Sequence, residues 1–140
     1  MSKFVVDANV GIKWVLPEIH SEVALRLLDH DYELLVPDFF FPEIGNILWK
    51  RIRRGEMTPL QAQNDLIVLT EGDLQVCPSK PLMPDALEMA ASVDQAVYDC
   101  VYLALAVTHQ CQMVTADERF YNALSGHALF SHLMWVEEIP

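Results

Sequence analysis

The chain has 140 residues, of which 52% are hydrophobic, so it is long enough to bury a core without disulfides or a structural metal. Nine Lys and Arg residues against twenty Asp and Glu residues give a net charge of −11, which argues against general binding to a polyanion. The longest apolar stretch, 101–107, is too short to cross a membrane. Asp7 interrupts the N-terminal apolar segment before it could serve as a secretory signal. We therefore expect a cytoplasmic protein with one domain, residues 1–140.

The first half of the chain predicts alternating strands and helices, because short apolar runs alternate with apolar residues at helical spacing. In chain order these are a strand at 3–7, a helical turn at 10–15, a helix at 21–29, a strand at 33–36 and a helix from 38 to about 55. Asp38 is the predicted N-cap of that last helix, which tolerates Pro42 only in its first turn.

The second half continues the alternation, and Thr58 followed by Pro59 is a typical helix start. The predicted elements are a helix at 58–70, a strand at 74–77, helices at 85–92 and 96–109, a strand at 111–115, a short helix capped by Asp117 and an edge strand at 133–136. Strands that alternate with helices imply right-handed crossovers and a mainly parallel sheet covered on both faces. The predicted class is therefore α/β, a three-layer α/β/α sandwich.

Four acidic residues are predicted to meet at one edge of this sheet, although they lie far apart in the sequence. Asp7 ends the first strand and Asp117 follows the strand at 111–115, so parallel pairing brings both to the carboxyl edge. Glu43 lies early in a helix that starts where the second strand ends. Asp99 lies in the first turn of a helix that runs antiparallel to the strands and therefore begins at the same edge. Clustered carboxylates repel one another unless a cation compensates, and oxygen ligands suit Mg²⁺ or Mn²⁺.

Each acid also has a purely structural explanation. Asp7, Asp99 and Asp117 are at positions where carboxylates cap helices or complement the helix dipole, and Glu43 could be a solvated helix residue. Asp99, however, shares its helix face with apolar residues, and Glu43 follows three phenylalanines. A charge beside an apolar surface usually has a counter-charge, which favours the functional explanation.

The basic residues concentrate at the end of the Glu43 helix. These residues could serve simply to complement the helix dipole. They are, however, the one basic cluster of an acidic chain and are therefore also a candidate RNA contact. Lys13 is a weaker candidate for a phosphate contact. The cluster comprises Lys50, Arg51, Arg53 and Arg54.

Four segments in order along the chain resemble the PIN domain in its VapC-type toxin form. They are FVVDANV at 4–10, PEIGNIL at 42–48, VYDCVYLALA at 97–106 and VTADERF at 114–120. The resemblance spans nearly the whole chain. Ala96 departs from it, because relatives often carry a small hydroxyl residue before the segment that contains Asp99.

The resemblance implies an α/β/α PIN fold and an Mg²⁺- or Mn²⁺-dependent endoribonuclease that forms a homodimer and is inhibited by a small cognate antitoxin protein, as in a type II toxin–antitoxin system. The acidic positions of the family fall on Asp7, Glu43, Asp99 and Asp117. Frequent polar supports of the family fall on Asn9, Asn46 and Thr115. RNA is the implied substrate.

Two other functions compete with this interpretation. A haloacid-dehalogenase-like phosphatase also places an aspartate after its first strand, but its motif requires a second aspartate at the position where this chain has Asn9. A catalytically silent PIN scaffold could act through its apolar surface alone, although the presence of all four acids argues against it. Internal cleavage of RNA would separate the nuclease from both alternatives.

Overall fold

A five-stranded parallel sheet forms the centre of the computed structural model, which describes residues 2–140. In chain order the strands are β1 (Lys3–Val6), β2 (Glu33–Pro37), β3 (Leu74–Cys77), β4 (Gln112–Thr115) and β5 (Leu133–Trp135). Their spatial order is β3-β2-β1-β4-β5, and every neighbouring pair is parallel. Val5 and Val6 in the central strand are fully buried, whereas Val76 in the edge strand β3 is 49% exposed. The predicted α/β sandwich with a mainly parallel sheet is confirmed.

Helices cover both faces of this sheet. They are α1 (Ala8–Gly11), α2 (Ser21–Ala24), α3 (Arg26–Asp29), α4 (Phe40–Arg53), α5 (Pro59–Thr70), α6 (Met83–Val93), α7 (Val97–Thr108) and α8 (Glu118–Ala123). Short 3₁₀ helices lie at Ile12–Trp14, Lys80–Leu82, Ala128–His132 and Val136–Glu138. Because parallel crossovers are right-handed, α1 to α5 pack on one face and α6 to α8 on the other.

Local sequence signals explain where α5 and α7 form. Thr58 and Gln61 make a capping box at the start of α5, with each side chain accepting from the other's backbone N–H, and Pro59 occupies the first turn. Helix α7 is buried along 100–106, as its uninterrupted apolar run predicted. It packs against the central strands and carries Asp99 in its first turn.

Two local predictions were wrong. The predicted helix at 21–29 is broken at Leu25, where the backbone N–H of Leu28 donates to the Leu25 carbonyl and the indole N–H of Trp14 donates to the Ala24 carbonyl at 2.9 Å. Asp38 does not cap α4. Phe39 occupies the N-cap position instead.

The Asp38 carboxylate has another role. Its Oδ2 accepts a hydrogen bond from the backbone N–H of Ser79 at 3.0 Å, which ties the loop after β2 to the loop after β3. Both loops leave the carboxyl edge of the sheet. The side chain therefore contributes to tertiary structure at the edge where the four acids were predicted to lie.

Among residues 2–140, no single helix is both long and apolar enough to cross a membrane. One bent pair, Lys80–Val93 with Val97–Thr108, meets the length and composition criteria together, with an angle of 116° between its members.

A glycine on α1 permits close packing against α4, and its replacement tests this contact. A Cβ atom on Gly11 would lie 2.6 Å from Cζ of the fully buried Phe40. We therefore expect Gly11→Ala to lower the free energy of unfolding by about 1–3 kcal/mol, the usual cost of overpacking a core. Urea unfolding followed by circular dichroism measures it.

Gly45 on α4 provides the matched control, because a Cβ atom there would have no neighbour within 4 Å. Gly45→Ala should leave stability unchanged or raise it by about 0.5–1 kcal/mol through higher helix propensity. Equal stability of the two variants would contradict the tight packing of α1 on α4.

Candidate active site

The candidate site lies where the strand order reverses, at the carboxyl ends of β1 and β4. Open parallel sheets bind ligands in the crevice at such a point. Asp7 follows β1 directly, and its backbone N–H donates to the carbonyl of Val114 in β4 at 3.1 Å. Thr115, the last residue of β4, donates its hydroxyl to Oδ2 of Asp7 at 3.0 Å. Pairing of the two strands thus fixes both the backbone and the side chain of Asp7.

Polar side chains fix the loop after β4 and hold it against α1. Thr115 Oγ1 accepts from the backbone N–H of Asp117 at 3.1 Å, and Asn9 Oδ1 accepts from the backbone N–H of Ala116 at 3.0 Å. Asp117 Oδ1 accepts from the Phe120 N–H at 3.1 Å, so the predicted N-cap of α8 is confirmed. Asp117 can cap α8 and still offer an oxygen to a ligand, because the cap uses only one of its two carboxylate oxygens.

Glu43 approaches the same edge from α4 and is bound by a tyrosine of α7. The hydroxyl of Tyr102 donates to Glu43 Oε1 at 2.7 Å. Tyr102 is fully buried, and the ring of Phe39 packs edge-on against it with centroids 5.6 Å apart. This hydrogen bond connects helices from the two opposite layers of the sandwich.

The negative charges of neighbouring acids act on Asp7 and on Asp99. Burial, together with the negative charges of Asp99, Glu43 and Asp117, raises the pKa of Asp7 to about 8, against the hydrogen bond from Thr115. Burial, then the charges of Asp117 and Glu43, raise the pKa of Asp99 to about 6. Burial raises the pKa of Glu43, and the Tyr102 hydrogen bond partly offsets this.

These acids have no protein counter-charge in the described part of the chain. None of the ion pairs among residues 2–140 includes Asp7, Glu43, Asp99 or Asp117. Mutually repelling carboxylates of this kind have the donor chemistry that Mg²⁺ or Mn²⁺ prefers. Across the same residues, however, no group of three or more Asp, Glu, His or Cys side chains is arranged to hold a metal ion. The acids therefore fit such an ion in charge and donor type, and they would have to move closer together to hold it.

The remaining predicted residues lie on or at the end of α4, except Lys13, which lies in the 3₁₀ helix Ile12–Trp14. Asn46 is exposed on α4, one turn beyond Glu43. Lys13 is only 6% exposed, and its Nζ lies 3.2 Å from Glu18 Oε1, so it does not present a free cation to a phosphate as the sequence had suggested. Arg51 is also paired, with Glu18 and Glu56.

The other three basic residues of the predicted cluster, Lys50, Arg53 and Arg54, are exposed at the end of α4. They line a shallow depression of about 340 Å³.

Two functional side chains were missed in the sequence. Tyr102 lies three residues after Asp99, a spacing that places two side chains on one face of a helix and that could have indicated a shared site. Glu18 forms ion pairs with both Lys13 and Arg51, and no local pattern indicates its pairing with Arg51, which lies 33 residues away.

Comparison with known proteins agrees with the fold. The family model of the PIN domain matches residues 4–123. Ribonuclease VapC3 from Pyrobaculum aerophilum is 34% identical over 119 residues, which are 84% of this chain and 91% of that protein.

Two solved structures extend the comparison at the level of the fold. A protein from Pyrobaculum aerophilum has a TM-score of 0.74 at 22% identity, covering 97% of this chain and 85% of that one. A toxin–antitoxin complex from Klebsiella pneumoniae has a TM-score of 0.65 at 13% identity, covering 99% and 100%. The four acids thus lie within a sequence match that spans most of the chain, and the chain belongs to the PIN domain family as a homologue of VapC ribonucleases.

Proposed function

We propose that this protein is a metal-dependent endoribonuclease and the toxin of a type II toxin–antitoxin pair. The observation that carries the proposal is that four carboxylates lie at one edge of the sheet, where the charges of the other acids help to raise the pKa of Asp7 and of Asp99 and no protein cation among the described residues pairs with any of them. Asp7, Glu43, Asp99 and Asp117 would hold the ion, which is Mg²⁺ or Mn²⁺. When bound, such an ion stabilises the charge that develops on the oxygens of a phosphodiester during hydrolysis.

The chain's own residues prepare this chemistry by holding the carboxylates in place. Thr115 orients Asp7, and Tyr102 orients Glu43. Hydrogen-bonded supports of this type fix the direction of ligand oxygens and are important for metal affinity. The carboxyl edge of the sheet leaves the site accessible from outside the chain, since Asp99 and Asp117 are only partly buried. An RNA strand can therefore reach it along its length, which supports internal cleavage.

The proposed macromolecular partner is a small antitoxin protein. The Klebsiella pneumoniae structure similar to this chain is a toxin–antitoxin complex. Apolar side chains on α3 and α5, including Leu28 at 52% and Val68 at 60% exposure, border a depression of about 280 Å³ and would be covered by such a partner. Patches of this kind commonly mark protein interfaces.

We also propose that the protein forms a homodimer, as VapC-type relatives are expected to do. Met83 and Leu87, one turn apart on α6, are 41% and 61% exposed and provide apolar surface for a second copy. Sedimentation of the purified chain would reveal the monomer mass if this is incorrect.

Loss of either of two acids should abolish cleavage without unfolding the protein. We expect Asp7→Asn and Asp99→Asn each to lower the kcat/KM for RNA by at least about 100-fold, because each removes charge that the reaction requires. Excess chelator should have a similar effect on the wild type. The measurement is cleavage of a labelled RNA on a gel, with Asp85→Asn on the exposed part of α6 as control. Cleavage that survives in chelator would refute the metal dependence.

The hydrogen bond from Tyr102 should contribute to metal affinity. We expect Tyr102→Phe to weaken Mn²⁺ binding, measured by calorimetry, by about 10- to 100-fold, which is typical for loss of a group that orients a ligand. Tyr98→Phe is the matched control, since Tyr98 is 67% exposed and packs on the same Phe39 ring. If both variants bind Mn²⁺ like the wild type, Glu43 does not depend on Tyr102.

Without metal, the acids should destabilise the protein as the pH rises. Asp99 has an ordinary pKa of 3.8 and a folded pKa of about 6, so between these values the folded state holds a proton that the unfolded chain has released. Its contribution to stability is therefore present below about pH 4 and is lost as the pH rises to about 6. The uncharged amide of the Asp99→Asn variant carries no such penalty, so in chelator at pH 8 we expect this variant to melt several degrees above the wild type.

At pH 4 the two proteins should melt at nearly the same temperature, which is the internal control. Added Mg²⁺ should shrink or reverse the difference at pH 8, because an ion that binds only the folded state stabilises it. A variant that melts below the wild type in chelator at pH 8 would mean that Asp99 is held by favourable interactions.

A further inference from the structure

One face of α4 joins the candidate active site to a group of cations. Lys50 and Arg54 follow Glu43 by seven and eleven residues, so they lie within about 20° of its direction around the helix. Ile44 and Leu48 are buried on the side that faces the core. The face that bears Glu43 therefore continues along the helix surface to Lys50 and Arg54.

These cations are available to a ligand. Lys50, Arg53 and Arg54 are exposed and have no carboxylate within ion-pair distance in the described residues. Lys13 and Arg51, by contrast, form ion pairs with Glu18, and Arg51 also pairs with Glu56. The structure thus divides the basic residues near α4 into a paired set and an unpaired set.

The unpaired set has a defined arrangement. Lys50, Arg53 and Arg54 line one depression of about 340 Å³. The guanidinium of Arg53 lies 4.9 Å from the centroid of the Trp49 ring, a cation–π contact that limits the positions Arg53 can occupy. Trp49 is itself 49% exposed. A phosphate would therefore meet cations that are partly ordered beforehand.

We propose that Lys50, Arg53 and Arg54 form a docking site for the phosphate backbone of the RNA strand whose neighbouring segment enters the acidic site. This inference rests on the proposed function for its substrate. A chain of net charge −11 repels a polyanion over most of its surface, so unpaired cations in line with the acids would fix the path of approach. Such contacts with phosphate position the strand without reading its bases.

The spacing sets how far along the strand the docked phosphates lie. At 1.5 Å per residue, Lys50 and Arg54 are about 10 and 16 Å from Glu43 along the axis of α4. A stacked strand rises about 3.4 Å per nucleotide, so the docked phosphates are about three to five nucleotides from the cleaved bond. Shorter RNA would reach the acids but not the cations.

The first experiment measures binding of the full-length chain to a labelled single-stranded RNA by fluorescence anisotropy, in chelator so that no cleavage occurs. Loss of one phosphate contact lowers the salt slope of log K by about 0.7, which corresponds to about fivefold in affinity at 0.1 M salt. We expect this result for Lys50→Gln. Arg53→Ala combined with Arg54→Ala should lower the slope about twice as much.

Lys80→Gln is the matched control, because it removes the same charge from an exposed lysine on a different part of the chain. Equal RNA affinity of Lys50→Gln and Lys80→Gln would overturn the docking site. So would a Lys50→Gln protein that keeps its RNA affinity but changes its sedimentation, since the cations would then contact an acidic surface of a second copy.

The second experiment separates this inference from the proposed function. With Mg²⁺ present, Lys50→Gln should raise the KM for long RNA and leave kcat unchanged, and it should have no effect on RNA that ends less than about three nucleotides from the cleaved bond. If the wild type cleaves RNA and Lys50→Gln matches it on both lengths, the docking site is wrong and the nuclease stands. If the wild type neither binds nor cleaves RNA, the proposed function fails and the docking site falls with it.

Discussion

The buried carboxylate of Asp7 is the constraint on which the site depends. Parallel pairing of β1 with β4 brings it beside Thr115 at the end of the neighbouring strand, where it is only 4% exposed. Burial of a carboxylate costs free energy unless hydrogen bonds or a cation compensate it. The one hydrogen bond from the Thr115 hydroxyl does not compensate for this burial, and three nearby acids add to its cost. The pKa of Asp7 is raised as a consequence. The structure thus carries a local instability that a bound cation would relieve.

The rest of the sandwich keeps the acids at this edge in spite of their repulsion. Glu43 and Asp99 come from helices on opposite faces of the sheet, and the hydrogen bond between Tyr102 and Glu43 joins those two layers. Gly11 lets α1 approach the buried ring of Phe40, three residues before Glu43 in the chain. Apolar packing of α1, α4 and α7 therefore opposes the repulsion, and the stability of the core is used in part to hold like charges together.

For contact with a polyanion, the positions of the charges on this chain matter more than the net charge. The net charge of −11 suggested poor affinity for a polyanion, yet Lys50 and Arg54 are exposed along the face of α4 that leads from Glu43, and Arg53 is exposed beside them. Glu18 removes two other cations, Lys13 and Arg51, from that surface by pairing with them. An acidic protein can in this way present a narrow basic path next to an acidic centre.

The sequence alone determined the alternation of strands and helices, the parallel class of the sheet and the edge at which Asp7, Glu43, Asp99 and Asp117 lie. These features follow from hydrophobic periodicity and from the direction of each element, and both can be read from neighbouring residues. Helix caps were predictable where the signal was strong, as at Thr58 and Asp117, but not at Asp38, whose carboxylate binds a backbone N–H 41 residues away.

Only the tertiary structure decided which side chains support or neutralise the functional ones. The partner of Glu43 is Tyr102, 59 residues later, and one of the two carboxylates that pair with Arg51 is that of Glu18, 33 residues earlier. The break at Leu25 likewise coincides with the Trp14 indole N–H bonding to the carbonyl of Ala24. Such contacts depend on how layers pack in three dimensions, and periodicity along the chain describes only which face of each element is apolar.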